Sequence, residues 1–297
     1  MKKLSLLVSL SDDASDFQRE QAKAAQEAAI RLGVEARIIY AQNDAITQSE
    51  QLLKAIHAAP LERPNAIIVQ PCGRTGLHQV ANAAAAASIG WLALNWMVDY
   101  LPELRAKYHV PAFVYSSDQQ EIGRIQGKQM EALLPQGGSV LYIQGPSSSL
   151  AAQQRTAGMH ETKPENIHVR LLKADSWAQE GGHRAVSAWL RLSTSQQDRL
   201  NLIVAQNDLL ALGARQMLQD QRKLLDPLFT GVDGLPDGGQ KWVQKGWLAA
   251  TIIVPVNAGA GLEVMVKALK TGIQPPEVTF TVPASYPPFE KLRNHSS

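Results

Sequence analysis

Along this chain, short apolar runs that end in small or polar residues alternate with longer segments whose apolar positions recur every three to four residues. The first pattern is that of buried strands and the second that of helices with one buried face, so the alternation predicts βαβ units and parallel sheets. Five runs read as strands in the first half: Leu4–Leu10, Ala36–Tyr40, Ala66–Gln70, Trp91–Asn95 and Ala112–Ser116. Five more follow at Ser139–Gln144, His168–Ala174, Leu202–Ala205, Phe229–Val232 and Ala250–Val254. Phe17–Leu32 reads as a helix that stops at Gly33, and Asp208–Leu218 and Ala258–Leu269 read likewise.

The two halves repeat. Ile67-Ile68-Val69-Gln70 and Leu202-Ile203-Val204-Ala205 lie 135 positions apart, and the strand ends Asn95 and Asp233 lie 138 apart. Val8 to Phe17 corresponds to Ile143 to Gln153 at a similar offset. Several matches at nearly one spacing predict two similar lobes, with a linker near Tyr115 to Asp118. A helix and a Pro-rich tail, Pro275 to Pro288, follow the last strand, so the chain is expected to cross between lobes more than once.

In open α/β sheets, ligands bind beyond the carboxyl ends of the strands. Phe17, Asn95, Trp96, Gln153, Arg155, Trp177, Asn207 and Asp233 follow strands in this way and are the candidate ligand-binding residues. Amides and carboxylates can grip vicinal hydroxyls, and the aromatic faces suit the C–H side of a sugar-like ring. Plainer readings stand beside these. Asn207, Asp208 and Asp118 can be helix caps, Trp96 and Trp177 core residues, and Arg155 a solvated helix residue.

Composition narrows the chemistry. The 297 residues hold 29 Lys+Arg against 27 Asp+Glu, a net charge of +2, which supplies no field for a nucleic acid. A lone cysteine, Cys72, excludes an internal disulfide, and the seven histidines have no metal-ligand spacing, so neither metal nor cofactor is expected. Gly73-Arg74-Thr75-Gly76 follows a strand and could cradle an anion, but it lacks the lysine and spacing of a phosphate loop. Catalysis is therefore not expected. No apolar stretch approaches the roughly 20 residues of a membrane span. Two lysines precede Leu4–Leu10, but Ser11-Asp12-Asp13 takes the place of a cleavage site. The expectation is a cytoplasmic chain, or a periplasmic one if the natural start lies upstream and carries a leader.

The segment Ala205-Gln206-Asn207-Asp208-Leu209-Leu210-Ala211-Leu212-Gly213-Ala214 resembles the A-x-N-D-x-x-A-x-G-A motif of type I periplasmic binding proteins, the ribose- and galactose-binding kind whose fold the LacI-type effector domains share. Ala41-Gln42-Asn43-Asp44, Ser117-Asp118 with Gly123 and Gly127, Gly231-Val232-Asp233-Gly234 and Gly246-Trp247-Leu248-Ala249-Ala250-Thr251 extend the likeness over nearly the whole chain. The resemblance implies an α/β fold of two Rossmann-like lobes with parallel sheets and a multi-crossing hinge. It implies one lobe of residues 1–115 plus 255–281, another of 116–254 plus 282–297, and a ligand cleft between them.

By resemblance, Phe17 and Trp177 stack on the ligand, and Asn207 and Asp233 bond its hydroxyls. The chain departs from the pattern where Asn95-Trp96 replaces Asp-Arg, Gln153 an arginine and Val254 a glutamine. Losing two guanidinium forks and gaining an indole argues against ribose and for a less hydroxylated or larger ligand. Arg155 could stand in for the lost arginine if its loop shifts. No calcium loop is present in the sequence. The expected role is solute binding for an ABC-type importer with a permease partner. The alternative is a cytoplasmic sensor with a signalling partner. A LacI-type repressor is not expected, since Met1-Lys2-Lys3 leaves no room for a helix-turn-helix before the first strand.

Overall fold

The computed structural model describes residues 3–72, 77–192, 200–220 and 226–293, so the 73–76 loop considered above lies outside the described residues. In chain order the first elements are β1 (Ser5–Leu10), α1 (Asp16–Leu32), β2 (Glu35–Tyr40), α2 (Ala45–Ile56), β3 (Ala66–Val69), α3 (His78–Ala86), β4 (Gly90–Leu94), α4 (Leu101–Lys107) and β5 (Ala112–Ser117). Then come α5 (Gln119–Leu133), β6 (Gly138–Gln144), α6 (Leu150–Thr162), β7 (Ile167–Lys173), α7 (Gln179–Leu190), β8 (Leu202–Ala205), α8 (Asp208–Asp220) and β9 (Leu228–Thr230). A wide turn, Pro236–Gln240, leads into α9 (Lys241–Gln244), β10 (Thr251–Ile253), α10 (Asn257–Thr271), β11 (Val278–Thr281), β12 (Ala284–Tyr286) and α11 (Phe289–Arg293).

These elements form two compact units, Met1–Ser117 with Val256–Thr281 and Asp118–Pro255 with Val282–Ser297. The first unit holds a six-stranded parallel sheet in the order β11-β5-β4-β3-β1-β2. Every residue of β3 and β4 is buried, as a parallel sheet covered on both faces requires. Strand alternation sends Leu6, Val8 and Leu10 to the face packed by α1 and α10, and Leu7 to the face packed by α2, α3 and α4. Helix α1 stops at Gly33, whose φ of 68° lets the chain end the helix with N–H groups turned back to the carbonyls of Ala29 and Ile30.

The second unit repeats the plan. Its parallel sheet runs β7-β6-β8-β9, and residues 250–253 continue it alongside β9 through parallel bridges from Thr230 to Ala250 and from Asp233 to Ile253. On one face, Ile203 of β8 packs with Trp189 of α7 and with Leu210 and Ala214 of α8. On the other, Leu202 and Val204 of the same strand pack with Tyr142, Met159 and Leu292.

Glycines set the helix spacing in this unit. A Cβ on Gly158 of α6 would collide with the Gln120 carbonyl oxygen, and one on Gly213 of α8 would collide with that of Gln179. Each pair of helices therefore packs backbone against backbone. Strands β11 and β12 lie in the Pro-rich tail, where no apolar run marks them. They form by pairing, β11 parallel to β5 and β12 antiparallel to β10. No helix among the described residues is long and apolar enough to cross a membrane.

Candidate functional site

The carboxyl edge of the second unit's sheet gathers four of the expected residues. Trp177, in the loop between β7 and α7, lays its ring against Gly145 just beyond β6, so closely that a Cβ there would enter the indole. The Arg155 guanidinium carbon lies 5.6 Å from the centre of the same ring system, within cation–π range. Asn207 caps α8 by accepting the Leu210 N–H at 2.8 Å, and its amide donates to the Trp177 carbonyl oxygen at 2.8 Å. The cap reading of Asn207 therefore describes its geometry, and the same side chain also fixes the tryptophan loop.

Arg155 is not a solvated helix residue. It is 7% exposed, because it shares the inward face of α6 with Ala152, Gly158 and Met159. Its Nε donates to Gln119 Oε1 at 2.8 Å, and Nη1 donates to the Gln206 carbonyl oxygen. Burial presses its pKa down, while Asp233, Tyr142 and Asp208 hold it up. Asp233 itself is half-buried and has a left-handed φ of 107°, unusual for a residue with a side chain.

Gln153 does not join this group. It is exposed, and its amide donates to the Ser147 carbonyl oxygen at 2.9 Å. Gln206, which the sequence does not single out, is fully buried. Its Oε1 accepts the Gly145 N–H, and its Nε2 stands within hydrogen-bond distance of Tyr142 Oη, the Ala152 carbonyl oxygen and Thr156 Oγ1. It occupies the variable position of the A-x-N-D segment, directly after an all-buried strand, and that placement is the signal available for it.

In the first unit, Asn95 follows β4 with a φ of 53° and is held by neutral neighbours. It donates to Gln70 Oε1 at 3.2 Å and accepts from Asn257 Nδ2 at 2.6 Å. Asn257 also accepts from Thr281 Oγ1 at 2.9 Å, and its Nδ2 lies 3.3 Å from Ser117 Oγ. Trp96 follows Asn95 and is half-buried, as is Phe17 in the first turn of α1. In the second unit, Asp118 caps α5, accepting the N–H groups of Gln120 and Glu121. Cys72 is buried, and loss of solvation, reinforced by Asp12 and Asp44, pushes its thiol up to about 12.

Two parallel-sheet units of one strand order, threaded by three chain crossings, define a class of two-domain α/β protein. The chain belongs to the periplasmic binding protein domain family, whose profile matches residues 6–273. It is 29% identical over 248 residues to the ribose import binding protein RbsB of Escherichia coli, covering 83% of this chain and 78% of that protein. It is 34% identical over 157 residues to RbsB of Salmonella typhimurium, covering 52% of this chain and 51% of that protein. The chain thus spans 51% to 64% of the first curated relatives it matches. A solved galactofuranose binding protein superposes with a TM-score of 0.83 at 21% identity, covering 99% of this chain and 100% of that one.

Proposed function

We propose that this protein reversibly binds a small sugar or sugar-like ligand at the strand ends of its units, as the solute-binding component of an ABC-type importer. The observation that carries the reading is the meeting of an indole face, an amide and a carboxylate at one sheet edge, in Trp177, Asn207 and Asp233. These groups match the apolar faces and vicinal hydroxyls of a carbohydrate. The relatives named as ribose import binding proteins support the same class of ligand. Asn95 and Trp96, in place of a charged pair, argue for a less hydroxylated or larger ligand than ribose.

In this reading the ligand is held without catalysis and released to a membrane permease outside the cytoplasmic membrane. A change of conformation on binding supplies the signal that the permease reads. A thermal-shift screen of monosaccharides, polyols, cyclitols and nucleosides is the test, because a ligand of the native state raises the melting temperature. Calorimetry on the best ligand should then show Asp233→Ala weakening binding by about 1–3 kcal/mol and Trp177→Ala by about 0.5–1.5 kcal/mol. A panel without any stabilising compound, or unchanged affinity in both variants, overturns the reading.

A further inference from the structure

Asp208 is 4% exposed, and its carboxyl group is enclosed by the turn that carries Asp233. Oδ1 accepts the Thr251 hydroxyl at 2.6 Å, and Oδ2 accepts the Gly234 N–H at 2.8 Å. A Cβ on Gly231 would collide with Oδ1, and one on Gly239 would collide with Oδ2. The Asp208 N–H also donates to the Val232 carbonyl oxygen at 2.7 Å. The whole 231–239 turn is therefore wrapped around this one carboxyl group.

The wrapping meets a need. Asp233 and Gly234 have consecutive left-handed φ values of 107° and 58°, and such backbone at a residue with a side chain persists only where its surroundings fix it. Asp233 donates its N–H to the Ile252 carbonyl oxygen, and its own carbonyl accepts from the Val254 N–H, which secures one side of the turn. Asp208 secures the other. A helix cap alone would not require bonds to Gly234 and Thr251, which lie outside α8.

We infer that Asp208 is a positioning residue, whose carboxyl group holds the 231–239 turn so that Asp233 is presented to the ligand. This rests on the reading of Asp233 as a ligand contact. Its test is a double-mutant cycle read by calorimetry with the best sugar from the screen. Asp208→Ala should weaken binding about tenfold in the native background and little in an Asp233→Ala background, since residues acting through one another are not additive. Asp208→Asn, which can still accept from Gly234 and donate to Thr251, should restore most of the affinity. Equal losses in both backgrounds overturn the inference.

A second measurement needs no ligand. Amide exchange at Gly234 should accelerate in Asp208→Ala and stay protected in Asp208→Asn, and unchanged protection in both overturns the inference even if the sugar reading fails. If Asp208→Ala does not fold, Thr251→Val removes one of the two bonds and should show a smaller change of the same sign at Gly234.

Discussion

The two units share a strand order but not the chemistry of their strand ends. Among the described residues, the buried polar side chains of the first unit are neutral: Ser9, Gln18, Gln21, Gln48, Ser116, Ser117 and Asn257. Those of the second include the charged Arg155 and the ionisable Asp208. One backbone plan thus supports a set of buried amides and hydroxyls in the first unit and, in the second, a set that also includes ionisable groups. A neutral network tolerates the loss of a partner better than a buried charge does, so the two sets should fail differently.

The largest expected effect is that of Arg155→Ala, which removes the hydrogen bonds to Gln119 Oε1 and the Gln206 carbonyl oxygen and the positive charge that acts on Asp233 and Asp208. It should destabilise the second unit by about 3–5 kcal/mol in denaturant unfolding, and a loss below that of Asn257→Ala would break the comparison. Asn257→Ala, in the neutral network, should cost about 1–3 kcal/mol.

The next difference is one of pH. Burial, together with the Asp233 charge, pushes the Asp208 carboxyl above its ordinary range, against the Thr251 and Gly234 hydrogen bonds and the Arg155 charge. A carboxyl with a raised folded-state pKa costs stability once ionised, and the cost is absent below its ordinary value of 3.8. The native protein should therefore lose melting temperature relative to Asp208→Asn as pH rises from 3.8 through the raised value. A constant difference would show that Asp208 does not titrate in this window.

The smallest effect is kinetic. Cys72 is the chain's only cysteine and lies in the first unit, so its labelling by a thiol reagent reports that unit alone. Labelling in mildly alkaline buffer should be slow in the native protein and should stay slow in Arg155→Ala under native conditions. Rapid labelling in that variant would show that the two units do not fail separately.

The strands are legible where their residues are uniformly apolar, as in Leu202–Ala205, because burial on both faces leaves no other pattern. Val278–Thr281 and Ala284–Tyr286 are not, because prolines flank them and only distant partners make them strands. At the site, Trp177 and Asn207 can be picked out from their place after strands. The burial of Arg155 is readable in principle, since Ala152, Arg155 and Met159 recur on one helical face, but a charged residue invites the opposite reading. The role of Asp208 is hidden because its partners, Gly234 and Thr251, are 26 and 43 residues away.

The Ser117, Asn257 and Thr281 cluster bears on synthesis. Ser117 and Asn257 are separated by 140 positions, and Ser117 and Thr281 by 164. The first unit cannot receive α10 and β11 until the intervening residues 118–255 have emerged from the ribosome. Its five earlier strands must wait with one edge of β5 unpaired and the α10 face of the sheet uncovered, while the intervening residues are made. The first unit thus stays open across the synthesis of residues 118–255, the second still awaits β12 and α11 after the first closes, and the nascent chain is exposed to mispairing along β5.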